Sequence, residues 1–384
     1  MRNLCELFYF DLYTGIYFSS SNMIVTNKTE VYNEIPGTYA SSGVDTYTED
    51  MAMPFIWRLF RSTLNYNQDL VQNIPLQNHY AAIIKLDDNK CVAIKTDGVG
   101  TKTLVAQLMD KYDTVGIDCI AMNVNDIICV GARPTSFIDY LALHKANQSF
   151  IEEIMKGLKR GAEIAKVSIV GGETAIMPDI IKSAKDDKGF DLAGSALGIV
   201  SPSTVITGNR LREGDVLIGI SSSGIHSNGL TLARDVLRVE DNIHKHYDEL
   251  GKTLGEELLE PSLIYVQEIM QLLSEHIDVK VVVHVTSHGL NNLRRIGKDF
   301  GYHIDYLPEP QAIYRMIQKE GKVSDSEMYK VFNMGIGICV AVPKEQSDRT
   351  LDIAEKNGKR AFVLGKAVKD PEKKVILKPK KIWI

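Results

Sequence analysis

Cys91-Val92-Ala93-Ile94-Lys95-Thr96-Asp97-Gly98-Val99-Gly100-Thr101-Lys102 decides the reading of this chain, because an apolar strand-like run leads into a turn holding a carboxylate, two glycines and a lysine. Glycines without Cβ let backbone N–H groups come close to phosphate oxygens. Lys102 supplies a point charge, and Asp97 suits the Mg²⁺ that accompanies a nucleotide. The segment is not a Walker A loop, since no Gly-Lys-Ser/Thr closes the required glycine-to-glycine spacing. Taken alone it is also compatible with a plain strand-to-helix turn.

Working outward, Tyr80 to Lys95 reads as a hairpin: two Ala/Ile/Val runs flank Asp87-Asp88-Asn89-Lys90, and the glycine-lysine turn closes its second strand. Thr103 to Met109 reads as a short helix. Gly116 to Cys129 reads as a longer one, with Ile117, Ile120, Ala121, Val124, Ile127 and Ile128 at helical spacing. A strand at 137–143, a helix through 150–165 and apolar runs at 167–170 and 191–200 complete a β-β-α-β-α-β-β order, an α/β (α+β) domain over 41–201. After a polar, turn-rich connection a second domain over 210–384 is expected, a mixed sheet with flanking helices. Its elements run from a strand at 216–220 through a charged, helical stretch to Leu259, a helix from Pro261 and a strand at 279–285 to a strand-helix-strand over 332–364. Residues 1–40 read as an N-terminal extension. Its first 22 residues are aromatic-rich, make a poor signal peptide, and suggest Met23 as the natural start.

With 384 residues, 44% of them hydrophobic and 24% charged, the chain has the composition of a globular protein of two domains. No apolar run approaches the roughly 20 residues of a membrane-spanning helix. A net charge of -5 argues against nucleic acid as a main partner. The five cysteines (Cys5, Cys91, Cys119, Cys129, Cys339) are scattered and form no Cys-x-x-Cys pair, so the reading is a reduced, cytoplasmic protein without a disulfide framework or zinc site.

Asn123, Asn125 and Asp126 interrupt an otherwise apolar helix, where unpartnered polar groups cost on the order of a few kcal/mol. A metal or a lysine would satisfy Asp126; a solvent-facing or capping position is the plainer alternative. Paired with Asp97, it gives the carboxylates a Mg²⁺-nucleotide complex requires. Gly171-Gly172-Glu173-Thr174-Ala175 reads as a second glycine-rich turn at the end of a buried strand, with Glu173 a third carboxylate or merely the start of a helix. Ser221 to Gly229, with its serines, His226 and Asn228, suits a substrate phosphate, or is a flexible surface loop. His284 and His288 are placed for proton transfer or serve structure.

In this order the segments resemble the phosphoribosylformylglycinamidine cyclo-ligase family, also called aminoimidazole ribonucleotide synthetase. The resemblance rests on Ser42-Gly43-Val44-Asp45, Thr96 to Lys102, Gly116-Ile117-Asp118 with Asn125-Asp126, and Gly171 to Ala175 with Met177-Pro178. It continues through Asp191 to Gly194, Ser222 to Gly229, Leu259-Glu260-Pro261 with Ile264-Tyr265, and Phe332 to Gly337. It implies ATP-dependent ring closure of formylglycinamidine ribonucleotide in purine biosynthesis. The substrate amide oxygen is phosphorylated, a substrate nitrogen attacks the activated carbon, and phosphate leaves.

The resemblance assigns Lys102 and Asp97 to catalysis. Gly98, Gly100, Thr101, Lys102, Asn125, Gly171 and Gly172 are assigned to ATP, and Ser222, Ser223, Gly224, His226, Ser227 and Asn228 to the ribonucleotide. Asp97, Asp126 and Glu173 are assigned to Mg²⁺. It further implies a homodimer whose first domains pair their sheets. Two segments depart from the family pattern: Ser287-His288-Gly289 stands where a Gly-Gly-Gly run is usual, and a lysine-rich stretch (Lys182, Lys185, Lys188) replaces a shorter loop. The rivals are a sister ATP-using activity of the same superfamily and a non-catalytic nucleotide-binding paralogue.

Overall fold

The structure is a computed structural model that describes residues 38–44, 46–76 and 78–384. The suggested start at Met23 and the aromatic-rich segment before it lie outside the described residues, as does Asp45.

The first domain contains α1 (Thr46–Arg61), β1 (Gln72–Ile74), β2 (Ala82–Lys85), β3 (Cys91–Gly98), α2 (Lys102–Met109), α3 (Val115–Cys129), β4 (Arg133–Leu143), α4 (Gln148–Ala165), β5 (Ser168–Ile176) and β6 (Phe190–Val200). The hairpin is present: β2 and β3 pair antiparallel, and the Asp87 carboxylate accepts from the N–H groups of Asn89 and Lys90 at 2.7 and 2.8 Å. The sheet order is β1-β2-β3-β6-β4-β5, antiparallel except for the β4–β5 pair. Its two faces differ sharply. On β6 the alternate residues Phe190, Leu192, Gly194, Ala196, Gly198 and Val200 are buried beneath helices, whereas the opposite face is uncovered and presents Ile94, Ile138 and Tyr140 to solvent.

β5 corrects the sequence reading. The sequence reads 167–170 as a buried strand and 171–175 as a glycine-rich turn; residues 168–176 instead form one continuous, largely exposed strand at the sheet edge, with Gly171, Gly172 and Glu173 inside it. The apolar run alone could not distinguish an edge strand, covered by nothing in the protomer, from a central one.

The second domain contains β7 (Val216–Ser221), α5 (Leu230–Leu237), α6 (Val239–Asn242), β8 (His246–Tyr247), β9 (Lys252–Thr253), α7 (Leu254–Leu258), α8 (Val266–Ser274), β10 (Val281–His284), β11 (Phe300–Ile304), α9 (Ala312–Gly321), α10 (Asp325–Val331), β12 (Ile336–Val342), α11 (Ser347–Lys356), β13 (Ala361–Lys369), β14 (Val375–Leu377) and β15 (Ile382–Trp383). These build a mixed seven-stranded sheet in the order β10-β12-β7-β13-β11-β14-β15, in which only β11 and β14 run parallel. The charged stretch to Leu259 is not one helix. Arg238 adopts a left-handed conformation that stops α5, the short α6 and a hairpin of two-residue strands follow, and Thr253 and Glu256 form a capping box that starts α7.

The domains meet along α3, every residue of which is buried. It packs on β3, β4, β6 and α4 of its own domain and on β10 and α8 of the other. Close approach to α4 requires glycine at Gly116 and Gly157: a Cβ on Gly116 would lie 2.2 Å from the Leu158 nitrogen. A helix buried on all sides has nowhere to expose a polar side chain, so each of its polar residues must find a protein partner.

Candidate functional site

Asp118 and Asn125 lie seven residues apart on α3 and therefore share a face. Together they clamp one segment of the second domain. Ser262 N–H donates to Asp118 Oδ1 at 2.7 Å, Tyr265 N–H donates to Asn125 Oδ1 at 3.0 Å, and Asn125 Nδ2 donates to the Leu263 carbonyl at 2.9 Å. Asn123 turns toward the first sheet, donating to the Asp97 carbonyl at 3.1 Å. Asn125, assigned to the nucleotide by the resemblance, here joins the two domains.

Asp126 faces the end of β3, where a charged cluster gathers. Lys95 and Asp97 are two apart on the strand and point to the same face. Lys95 Nζ lies 2.7 Å from Asp126 Oδ2 and 3.3 Å from Asp97 Oδ2. His284, at the end of β10, brings Nδ1 within 2.8 Å of Asp126 Oδ1, and its own carbonyl accepts from the Tyr80 hydroxyl at 2.8 Å. Because an ionised carboxylate only accepts, that contact assigns the proton to His284 Nδ1.

The two carboxyls are held differently. Burial pushes Asp126 up, but the His284 hydrogen bond and the Lys95 charge outweigh it, and its pKa ends below the usual carboxylate range. Asp97 ends above that range, raised by burial and by the neighbouring Asp126 charge against the pull of Lys95 and the Gly98 N–H. Asp97 is also the more accessible, its side chain 34% exposed against 5% for Asp126. One carboxylate is anchored and the other faces the opening.

Gly98, Gly100 and Thr101 form the turn from β3 into α2. Thr101 caps α2 without a side-chain bond, which leaves the helix N-terminal amides uncapped by side chains, and its hydroxyl lies 3.2 Å from that of Thr231 on α5. Lys102 does not point into this turn. Its side chain is fully buried, with Nζ 3.0 and 2.9 Å from the two carboxylate oxygens of Asp118 and donating to the Glu260 carbonyl at 2.6 Å. Lys102 thus joins an ion pair within the first domain to a hydrogen bond that reaches the second.

Glu173 is also separated from the other carboxylates. Register pairs Asp97, Gly194, Asp139 and Gly172 in one row across β3, β6, β4 and β5, and Gly98, Ala193, Tyr140 and Glu173 in the next. Glu173 therefore lies three strands from Asp97's strand and on the open face of the sheet. Among the described residues no three His, Cys, Asp or Glu side chains gather as a metal site.

The Ser222–Gly229 loop is largely buried, not a surface loop, and it bonds the chain's own groups. Ser222 Oγ donates to Asn333 Oδ1 at 2.8 Å, Ser223 Oγ to the Pro261 carbonyl at 2.6 Å, and Ser227 Oγ lies 3.2 Å from Ser262 Oγ. Asn333 also donates to the Gly224 and Ile225 carbonyls. Gly224 is buried and Asn228 partly so, its amide in a long contact of 3.8 Å to Met122 Sδ. His226 Nε2 accepts from Ser223 N–H at 3.3 Å and Leu263 N–H at 3.4 Å, while its buried Nδ1 has no protein partner. Burial first, then the His284 and Lys102 charges, pushes His226 well below the usual histidine value, so the ring is neutral.

Of the altered triplet, Gly289 has φ of +52° and a Cβ there would lie 2.1 Å from the Tyr329 carbonyl oxygen. His288 has φ of -103° and, like Ser287, is only partly buried. The triplet keeps glycine at the position that cannot take another residue. Lys95 is not among the residues that the sequence singles out. Lys95, two residues before Asp97 on one strand, was the available signal.

The family described as AIR synthase related protein, N-terminal domain, matches residues 78–200, and its C-terminal counterpart matches residues 212–378. The chain is 45% identical over 330 residues to the phosphoribosylformylglycinamidine cyclo-ligase of Methanothermobacter thermautotrophicus, covering 85% of this chain and 93% of the relative. It is 45% identical over 336 residues to that of Pyrococcus horikoshii, covering 88% and 96%. Among solved structures the fold is shared with a chain of the HypE-HypF complex (TM-score 0.59, 17% identity, 86% of this chain and 97% of that one). It is shared also with T. maritima PurL complexed with ADP (TM-score 0.55, 16% identity, 84% of this chain and 47% of that one).

Proposed function

This chain belongs to the phosphoribosylformylglycinamidine cyclo-ligase family, a C–N bond-forming ligase of purine biosynthesis, and from that premise we propose how its residues divide the work of closing formylglycinamidine ribonucleotide to aminoimidazole ribonucleotide at the expense of ATP. The observation that carries the reading is the cluster of Lys95, Asp97, Asp126 and His284 beside the Gly98–Thr101 turn.

The turn and the N-terminal amides of α2 receive the nucleotide phosphates, the partial positive charge of the helix end adding to the glycine amides. The donor set suits Mg²⁺, which prefers one or two carboxylates plus phosphate oxygens: Asp126 and Asp97 would hold it, the cation neutralising charge on the transferring phosphoryl group. His284 is a positioning residue. It fixes the Asp126 carboxylate from the second domain, and so ties the metal ligand to the domain that carries the ribonucleotide loop. Lys102, Asp118 and Asn125 hold the domains in register, and the Ser222–Gly229 loop presents its backbone to the substrate.

A homodimer fits the uncovered sheet face, where Ile138 is 47% and Tyr140 40% exposed, and the unpaired edge of β5. In that assembly Gly171, Gly172 and Glu173 serve the site at the subunit contact, not within a protomer. No helix among the described residues is long and apolar enough to cross a membrane, in keeping with a cytoplasmic enzyme. ADP release from Mg-ATP that depends on formylglycinamidine ribonucleotide, and that Asp97→Asn abolishes in a protein still folded, tests this reading. ATP binding without turnover would refute it.

A further inference from the structure

Lys95 occupies a place that the reaction does not by itself explain. Its ammonium sits between the carboxylates of Asp97 and Asp126, 3.3 and 2.7 Å from them. That is where a cation shared by the two would have to lie. We propose that Lys95 is a built-in stand-in for the divalent cation: it holds the carboxylate pair in place when no nucleotide is bound, and gives way only to a metal that arrives with phosphate. This inference rests on the metal assignment above.

The stand-in role of Lys95 has three physical parts. Two carboxylates facing one another repel, and without a counter-charge one of them turns away. Lys95 supplies that counter-charge from the same strand face as Asp97, so the spacing of the pair is set before ligand arrives. The second part is competition. A free divalent ion must displace the ammonium with two carboxylates alone to offer, whereas a nucleotide-bound ion brings phosphate oxygens as further ligands. The third is mobility of the stand-in: the Lys95 side chain is 22% exposed, so its flexible stem has a route to solvent that fully buried Lys102 lacks. The outcome is selection for the metal-nucleotide complex over the bare ion.

Mn²⁺, followed by the loss of its free-ion electron paramagnetic resonance signal, provides a readout independent of turnover. Full-length wild type, Lys95→Met and Lys95→Arg are titrated with Mn²⁺, each with and without a non-hydrolysable ATP analogue, and folding is checked by circular dichroism. Without nucleotide, Lys95→Met is expected to bind Mn²⁺ about tenfold or more tightly than wild type, and Lys95→Arg, which keeps the charge, to bind as weakly as wild type. With nucleotide the three should converge to within about threefold. A combined Lys95→Met/Asp97→Asn protein should lose the gained site.

Equal nucleotide-free affinity in wild type and Lys95→Met overturns the role of Lys95 while leaving the metal assignment standing. Nucleotide-dependent Mn²⁺ binding that Asp97→Asn leaves undiminished in the wild-type background overturns both. If Lys95→Met does not fold, Lys95→Gln is put through the same titration and judged by the same criterion.

Discussion

Replacing Lys102 by Met separates a structural ion pair from a phosphate ligand. Methionine keeps the length of the stem and removes only the ammonium. In the folded protein that ammonium is fully buried against both oxygens of Asp118 and the Glu260 carbonyl. Its loss leaves the Asp118 carboxylate, also fully buried, with the Ser262 N–H as its hydrogen-bond donor. Breaking one half of a buried pair costs about 3–5 kcal/mol, a large part of the roughly 5–15 kcal/mol that holds a typical domain together.

Lys102→Met/Asp118→Asn should recover at least half of that loss, because asparagine still accepts from Ser262 and no charge is stranded. Urea unfolding followed by circular dichroism measures both, with ATP affinity measured below the unfolding transition. A Lys102→Met protein that unfolds at the wild-type urea midpoint while its ATP affinity falls more than tenfold would refute the ion-pair role and put the ammonium on phosphate.

Three further outcomes follow from the geometry. His226 is held neutral in the fold with its pKa lowered, so below about pH 6.5 the unfolded chain binds a proton that the native chain does not, and stability falls as pH drops at up to about 1.4 kcal/mol per unit. His79, pushed down to about 4, acts in the same direction, so urea midpoints compared at pH 7.5 and 5.5 should show His226→Gln with a shallower slope but not a flat one; an unchanged slope would contradict this. Gly289→Ala should cost about 2–4 kcal/mol through its contact with the Tyr329 carbonyl and its positive φ, whereas Ser287→Gly should cost less than about 1, a contrast that thermal melting reads directly. Tyr140→Asp, on the open face of the first sheet, should convert a dimer to a monomer in sedimentation velocity with the secondary structure intact, and a variant that sediments as wild type would place the subunit contact elsewhere.

Much of the architecture could be read from local pattern. The hairpin ahead of the glycine turn declared itself through a run of turn formers between two apolar segments, and α3 through its 3.6-residue period. β11, β14 and β15 escaped notice because they are short and pair mostly with strands distant in sequence. The edge position of β5 was hidden for a related reason: an apolar run does not record where in a sheet its strand lies.

Chemistry-bearing residues were equally legible as a set. Asp97, Lys102, Asp126, Glu173 and the serine loop carry types that phosphate and metal chemistry needs, and their order along the chain marks the family. Which of them meet is a tertiary outcome. α3 is enclosed by both domains, so Asp118 and Asn125 must be satisfied by the second domain, and the demand of buried Asp118 draws Lys102 away from the turn that it adjoins in sequence. Strand alternation sends Glu173 to the face opposite Asp97 and leaves Lys95, two residues earlier on the same strand, beside it. Sequence determined the inventory; the burial of one helix between two sheets decided who partners whom.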